Sequence, residues 1–277
     1  MGSIAAPKSA LRKDRTLTIT YFDTPTCPTR PENAIAMPAQ ARVPVRPSVR
    51  PVLAVTGLAR EARLAEGPGV ITIRAGGDTA RLRAMLGAHI VPNCRAVISV
   101  GIAGGLDPDL VPGDVIVATG IATPDRRHSA SLDVARRLAA QLSAHPKRVV
   151  LADLAGVDAA VMCPIAKRDL RRATGAIAVD MESHIAADFA ARYGLPFAAV
   201  RVICDPAHRA LPALIATALH PNGEVNFSSL LGGLMRRPLQ LVAMTRLARD
   251  AAEGFRALRN CRDLLGYGFG IPHAGEV

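Results

Sequence analysis

Three acidic residues, each just past a run of apolar residues, are the positions in this sequence best suited to chemistry: Glu61, Glu182 and Asp205. Ala176 to Val179 is apolar and partly β-branched, which predicts a buried strand, and it runs directly into Asp180-Met181-Glu182. Phe197 to Ile203 predicts a second buried strand that leads to Asp205, and Val52 to Thr56 a third. After that third strand Gly57 turns the chain and Glu61 falls in the helix predicted over Leu58 to Leu64. The carboxyl edge of an α/β sheet is where ligands are received, and a carboxyl group there can accept hydrogen bonds or exchange a proton. Glu61 has a second reading, as an acid that favours the first turn of its helix through the helix dipole. Gly101-Ile102-Ala103-Gly104-Gly105 follows the apolar run Ala96 to Val100. A glycine-rich turn at that place exposes backbone N–H groups to an anion, a water or a sugar hydroxyl. It lacks both the GxGxxG spacing and the Lys-Ser/Thr pair of a phosphate-binding loop.

The elements that must position these residues alternate between strand and helix. Ile185 and Phe189 lie four apart in a helix predicted over His184 to Tyr193, and Gly194 closes it. Val70 to Arg74, Val115 to Ala118 and Val149 to Ala152 predict further strands. Helices are predicted through Leu82, Met85 and Leu86, over Ser131 to Leu142, and from Pro164 to Arg172. Ala159 to Cys163 is a short apolar segment, and Ala122 to Ser131 reads as a polar loop carrying Asp125, Arg126, Arg127 and His128. The fold class expected is α/β, with a mixed central β-sheet, flanking helices and a C-terminal helical extension.

Residues 1–50 are rich in proline and arginine and predict a disordered leader, residues 51–210 the working core, and residues 211–277 the extension. Within the extension, Leu211 to Leu219, Phe227 to Leu234 and Leu239 to Leu265 read as helices whose apolar faces, flanked by arginines, could pack on the core, form a subunit interface or lie against a membrane. At 277 residues and 49% hydrophobic, the chain can bury one sizeable core. It has no apolar run of transmembrane length and no signal-peptide pattern, so a cytoplasmic protein is expected. Its five cysteines are scattered without a CxxC pair, which argues against a disulfide framework and a cysteine-built metal site. The net charge of +11 comes with no lysine-rich tract and only 3% aromatic residues, so no nucleic-acid partner is expected. An anionic membrane or substrate is the better use of that charge.

Four stretches resemble the purine nucleoside phosphorylase and nucleosidase superfamily: VTGLAREARL at 55–64, VISVGIAGGLDPDLVPGDVIVA at 97–118, VMCPIAKRDLRRATGAIAVDMES at 161–183, and RVICDPA at 201–207. Within it the chain is most similar to the hopanoid-biosynthesis branch that removes adenine from adenosylhopane, and the helical tail shares that likeness. The resemblance implies a nucleoside phosphorylase-like fold and cleavage of an N-glycosidic bond. It implies that Glu182 binds the ribose 2′ and 3′ hydroxyls, that Met181 packs on the sugar, and that Asp205 assists protonation of purine N7. Val161 and Met162 fall in the implied base pocket, and Gly57, Gly101, Ile102, Ala103 and Gly104 in a cradle for water or phosphate. Glu61 matches, if one position is gapped, the glutamate with which nucleosidases of the methylthioadenosine type activate water; without the gap Ala62 takes that place.

Ile102 stands where a GSAGG-like motif would offer a serine hydroxyl, which removes one donor to phosphate and favours hydrolysis over phosphorolysis. Gly57, Arg60, Arg81 and Arg126 remain candidates to hold inorganic phosphate as a co-substrate. No cofactor and no metal are implied. The partner implied is an adenine nucleoside with a large apolar 5′ substituent, and the protein a homo-oligomer. The basic surface and the helices after residue 210 would suit peripheral contact with the inner face of the membrane. Two alternatives stand beside this reading: an enzyme for small purine nucleosides such as methylthioadenosine, and a non-catalytic binding protein on the same fold.

Overall fold

The computed structural model describes residues 50–88, 93–212 and 241–271. The chain divides into two units, Met1–Arg46 and Pro47–Val277, and every described residue belongs to the second. Its elements run β1 (Val52–Thr56), α1 (Ala59–Ala65), β2 (Val70–Arg74), α2 (Thr79–Ala88), β3 (Ala96–Gly105), β4 (Val115–Ala122) and β5 (Arg127–Ser129). They continue with α3 (Leu132–Gln141), β6 (Val149–Gly156), α4 (Pro164–Thr174), β7 (Ala178–Asp180), α5 (Ser183–Arg192), β8 (Phe197–Asp205) and α6 (Leu241–Leu265).

The sheet is mixed and partly closed on itself. β3 pairs in parallel with β1 and β8 and antiparallel with β7; β7 pairs with β6, β6 with β4, and β4 with β8. These pairings close a ring of β3, β7, β6, β4 and β8, with β2 and β1 extending from β3 and β5 from β4. Side chains alternate across the sheet with period two. Leu53 and Val55 face one core with Leu82 and Leu86 of α2 and Ile185 and Phe189 of α5. Val52 and Ala54 face the other with Leu138 of α3 and Phe255 and Leu258 of α6.

Helix α6 is thus part of the core, and each apolar side chain it buries contributes about 1.5–3 kcal/mol. Its arginines complete the docking: Arg262 Nε donates to the Leu64 carbonyl at 2.9 Å. Among the described residues no helix is long and apolar enough to cross a membrane. The helix expected over Leu211 to Leu219 lies outside the described residues beyond residue 212, as do the whole of that expected over Phe227 to Leu234 and all but the last residue of the leader expected over 1–50.

The structure changes several expectations. The run Gly101 to Gly105 is not a turn but the second half of β3, whose ten residues reach three partner strands. A register shift between Ala103 and Gly104 bends it where it meets the end of β8. Similarly, β4 and β6 run four residues further than their apolar cores suggest, because pairing partners carry them on. The polar loop contains β5, hydrogen-bonded back onto β4 as an edge strand. Ala159 to Cys163 forms no regular element.

Candidate active site

Glu61 lies in the first turn of α1 and is 1% exposed. Its Oε2 accepts from the backbone N–H of Gly57 at 2.8 Å and of Leu58 at 2.7 Å, and its Oε1 from that of Ile102 at 2.8 Å. One carboxylate therefore caps α1 and ties the end of β1 to the middle of β3, so the structural and chemical readings of Glu61 coincide. Three donors on two oxygens leave room for another, such as a water. Gly101 lies behind this carboxylate: a Cβ there would come 2.5 Å from Glu61 Oε1 and 2.6 Å from Arg201 Nη1. Gly57 is constrained in the same way by Glu182, whose Oε1 would stand 2.6 Å from an added Cβ. These glycines let carboxylates approach the main chain, whereas the sequence suggested an exposed cradle.

Beneath the carboxylates is Arg201 of β8, wholly buried. It pairs with Asp180 at the end of β7 and with Glu182 Oε2 at 3.3 Å. Its Nη2 donates to Ser99 Oγ at 2.6 Å and its Nε to Ser183 Oγ at 3.3 Å. The Ser183 hydroxyl donates to Asp180, and the Ser183 N–H donates to Asp180 Oδ1 at 3.0 Å, which anchors the start of α5. One arginine thus offsets two carboxylates directly and a third, Glu61, through space. Burial, first, pushes the Glu61 carboxyl upward, while Arg201 and the backbone N–H groups oppose it. Burial likewise pushes Glu182 up to about 8; Arg201 opposes, and the neighbouring charges of Asp180 and Glu61 add to the rise.

At the end of β8, Asp205 is 4% exposed and forms an ion pair with Lys167 of α4, itself 1% exposed. Asp205 Oδ1 accepts from the Cys204 thiol at 3.3 Å. Burial raises the Asp205 carboxyl above its ordinary value, and Lys167, by charge and by hydrogen bond, holds it down.

These groups share one cavity of about 160 Å³. Glu61, Glu182 and Asp205 line it together with Gly57, Ile102, Ala103, Gly104, Val161 and Met181. Met162 stands outside this wall, its carbonyl accepting the Leu211 N–H at 2.8 Å, and Val161, Ala160 and Leu211 form the apolar side instead. Among the described residues Lys167 is the one cationic side chain in the wall. Of the arginines considered for phosphate, Arg60 stacks on Phe255 at 4.3 Å, and Arg126 lies in a second cavity, paired with Asp188 at 3.3 Å. That second cavity, of about 540 Å³, also holds His128 and His184 and shares Val157 with the first. Asp180, Arg201 and Lys167, with the hydroxyls of Ser99 and Ser183, balance the site's charge; the sequence reading placed Asp180 at a strand end and assigned a role to none of the five. Polar residues inside otherwise continuous apolar strands, Ser99 and Arg201, were the available signal.

The family model described as the phosphorylase superfamily matches residues 48–218. The chain belongs to that superfamily. No curated protein matches it significantly by sequence. Among solved structures, this superfamily member is similar in fold to the 5′-methylthioadenosine/S-adenosylhomocysteine nucleosidase of Helicobacter pylori, with 16% identity, 78% of this chain and 98% of that one covered, and a TM-score of 0.56. It is also similar to a putative methylthioadenosine nucleosidase from Weissella paramesenteroides, at 18% identity, 79% and 100% coverage, and a TM-score of 0.53. The futalosine hydrolase of Helicobacter pylori matches at 17% identity, 57% and 88% coverage, and a TM-score of 0.51.

The raised Glu182 carboxyl gives this phosphorylase-superfamily fold a pH signature. A carboxyl at 4.5 when unfolded and about 8 when folded keeps its proton only in the folded state, so its burial costs nothing below 4.5 and increasingly more up to about 8. Glu182→Gln removes that cost. The variant is expected to be nearly as stable as the wild type at pH 4.5 and to gain on it as pH rises, by up to about 4 kcal/mol at pH 8, the limit that the shift sets. Urea unfolding at the two pH values measures this, and a gain that does not grow with pH contradicts it.

Proposed function

We propose that this protein cleaves the N-glycosidic bond of an adenine nucleoside by hydrolysis, and that the nucleoside carries a large apolar 5′ substituent, adenosylhopane being the substrate read from the resemblance. The observation that carries the reading is the convergence of Glu61, Glu182 and Asp205 on one small cavity with an apolar wall. In this reading the sugar sits over Met181 with its 2′ and 3′ hydroxyls at Glu182, which with a carboxyl pushed up to about 8 can both donate and accept. Asp205 delivers a proton to purine N7 as the C1′–N9 bond breaks and its electron pair goes to the base. Positive charge then develops at C1′ and O4′, as in other glycosyl transfers, above the ribose hydroxyls held by Glu182. A water held at Glu61 attacks C1′ and gives its proton to Glu61, and the products are adenine and the free ribosyl compound.

Electrostatics supports water over phosphate as the nucleophile. Among the described residues Lys167 is the one cationic side chain in the cavity wall and it is already paired with Asp205, while Arg201 lies beneath the wall engaged with Asp180 and Glu182, so the wall offers no uncommitted cation to hold a phosphate dianion. Names of the structural relatives agree, since those cited are nucleosidases or a hydrolase. Size supports an extended 5′ end. A cavity of about 160 Å³ is smaller than the roughly 300–1,000 Å³ of a typical small-molecule pocket, so a bulky 5′ substituent would lie outside it, and Val157 borders both it and the larger cavity.

The test is adenine release from detergent-solubilised adenosylhopane, with and without phosphate, with the sugar product identified by mass. Adenine and free ribosylhopane, independent of phosphate, is the expected result. A phosphate-dependent 1-phosphate product would overturn hydrolysis. Equal turnover of methylthioadenosine would overturn the requirement for a large apolar substituent.

A further inference from the structure

We propose that Lys167 is a positioning residue for Asp205: it clamps one carboxyl oxygen, leaves the other to the departing base, and sets the pH range over which Asp205 carries the proton that the base requires. The inference rests on the N-glycosidic cleavage proposed above and assigns a further residue to it.

The geometry is unusual for a lysine. Helix α4, described throughout, buries Lys167 alone, while Ile165 on the same helix is 62% exposed. An amphipathic helix docked only for stability would do the reverse. The ammonium pairs with Asp205 Oδ2 and also donates to the carbonyls of Pro206 at 3.0 Å and Arg209 at 3.4 Å, so all three of its protons are directed at the segment that ends β8. Asp205 Oδ1 keeps only the weak Cys204 thiol donor among the described residues. Both members of the pair line the cavity. A buried ion pair is a poor route to stability, since well-packed apolar residues of similar volume serve as well or better. Retaining one in the wall of a reaction cavity therefore points to control of the acid.

Asp205 is faced by Lys167 from α4, by Cys204 from β8 and by Arg209 from the segment after β8; Arg209 is itself paired with Asp250 of α6. Glu61, from α1, lines the same cavity. Of these, Lys167 acts most strongly on Asp205 after burial itself, and in the opposite direction. A general acid must hold its proton before the bond breaks. Removing Lys167 should let Asp205 hold it to higher pH, so the alkaline limb of kcat/KM should move upward.

The experiment is the pH profile of kcat/KM for adenine release by wild type, Lys167→Met and Lys167→Arg. Lys167→Met is expected to shift the alkaline limb up by at least about one pH unit, a tenfold change in proton affinity, and Lys167→Arg to keep it near the wild-type position. A limb that does not move in Lys167→Met, or a loss of rate uniform across pH, overturns the proposal. Should Lys167→Met fail to fold, Lys167→Gln, a neutral donor of similar reach, carries the same expectation. Carboxyl-carbon NMR titration of Asp205 in intact wild-type and variant protein, assigned with Asp205→Asn, gives a readout independent of turnover. Equal Asp205 titration points would overturn the role of Lys167 even in an active enzyme. A lower wild-type titration point, in a protein that releases no base from any nucleoside, would uphold that electrostatic hold while sinking the proposed reaction.

Discussion

Asp205→Asn is expected to lower kcat for adenine release by about 10²–10⁴-fold, the range that a positioned general acid supplies. In the proposed reaction adenine would leave C1′ poorly as an anion, and Asp205, a carboxyl raised by burial, is the donor assigned to N7. The amide side chain keeps the shape and still offers an oxygen to Lys167, but it cannot deliver a proton. Loss of the charge beside a buried ammonium should cost about 1–3 kcal/mol of stability, which urea unfolding can separate from the kinetic effect. The discriminating measurement is a second substrate, a 4-nitrophenyl riboside, whose leaving group departs without protonation. The variant should lose little on that substrate and most of its rate on the adenine nucleoside. Equal losses on both would remove Asp205 from the role of acid and leave it a structural residue.

Arg201→Met has the largest expected effect on the fold. The guanidinium is wholly buried against Asp180 and Glu182 and holds Ser99, Ser183 and the Ile102 carbonyl in hydrogen bonds. Methionine fills part of the volume and leaves two carboxyl groups without their counter-charge. Removing one partner of a buried ion pair costs about 3–5 kcal/mol; at about 2–4 °C of Tm per kcal/mol for a chain of this size, the transition should fall by roughly 10 °C. Much of the loss should be recovered in Asp180→Asn/Arg201→Met, where the strongest uncompensated charge is gone. A single variant that melts within a degree or two of the wild type would mean that the arginine does not hold the carboxylates together. The same variant should lose activity, because Glu61, without Arg201 to oppose its burial, would retain its proton to higher pH, away from the ionised state that activation of the water needs.

Both results turn on residues that differ in how visible they are in the chain. Asp205 and Glu182 could be located because the apolar runs that end at them are local signals, and because VDMES and RVICDPA resemble motifs of a known superfamily. Glu61 could be singled out as a carboxylate just past the first strand, although its match to the nucleosidase glutamate needs a gap; its bonds to Gly57, Leu58 and Ile102, which fix it between β1 and β3, exist only in the fold. The glycine run was misjudged as a turn because glycine is the commonest residue where backbones reverse. Here its lack of a side chain serves another end, letting Glu61, Arg201 and Asp205 crowd against a continuing strand. The resemblance implies Val161 and Met162 together in the base pocket; of the two only Val161 lines the cavity, while the Met162 carbonyl accepts the Leu211 N–H.

Chain composition and short-range pattern by themselves determined the α/β class, where the described strands other than β5 and the described helices begin to within a residue or two, and the strand ends from which Glu182 and Asp205 follow. Those properties depend on periodicity over four to ten residues, which a linear sequence displays directly. Tertiary structure alone decided how the charges are balanced. Lys167 meets Asp205 across 38 positions, Arg201 meets Ser99 across 102, and Ile102 meets Glu61 across 41. The burial that raises these carboxyls, and the cations that restrain them, exist only once the ring of β3, β7, β6, β4 and β8 has closed and excluded water. Electrostatic energy depends on distance and local dielectric, and neither is written in sequence order.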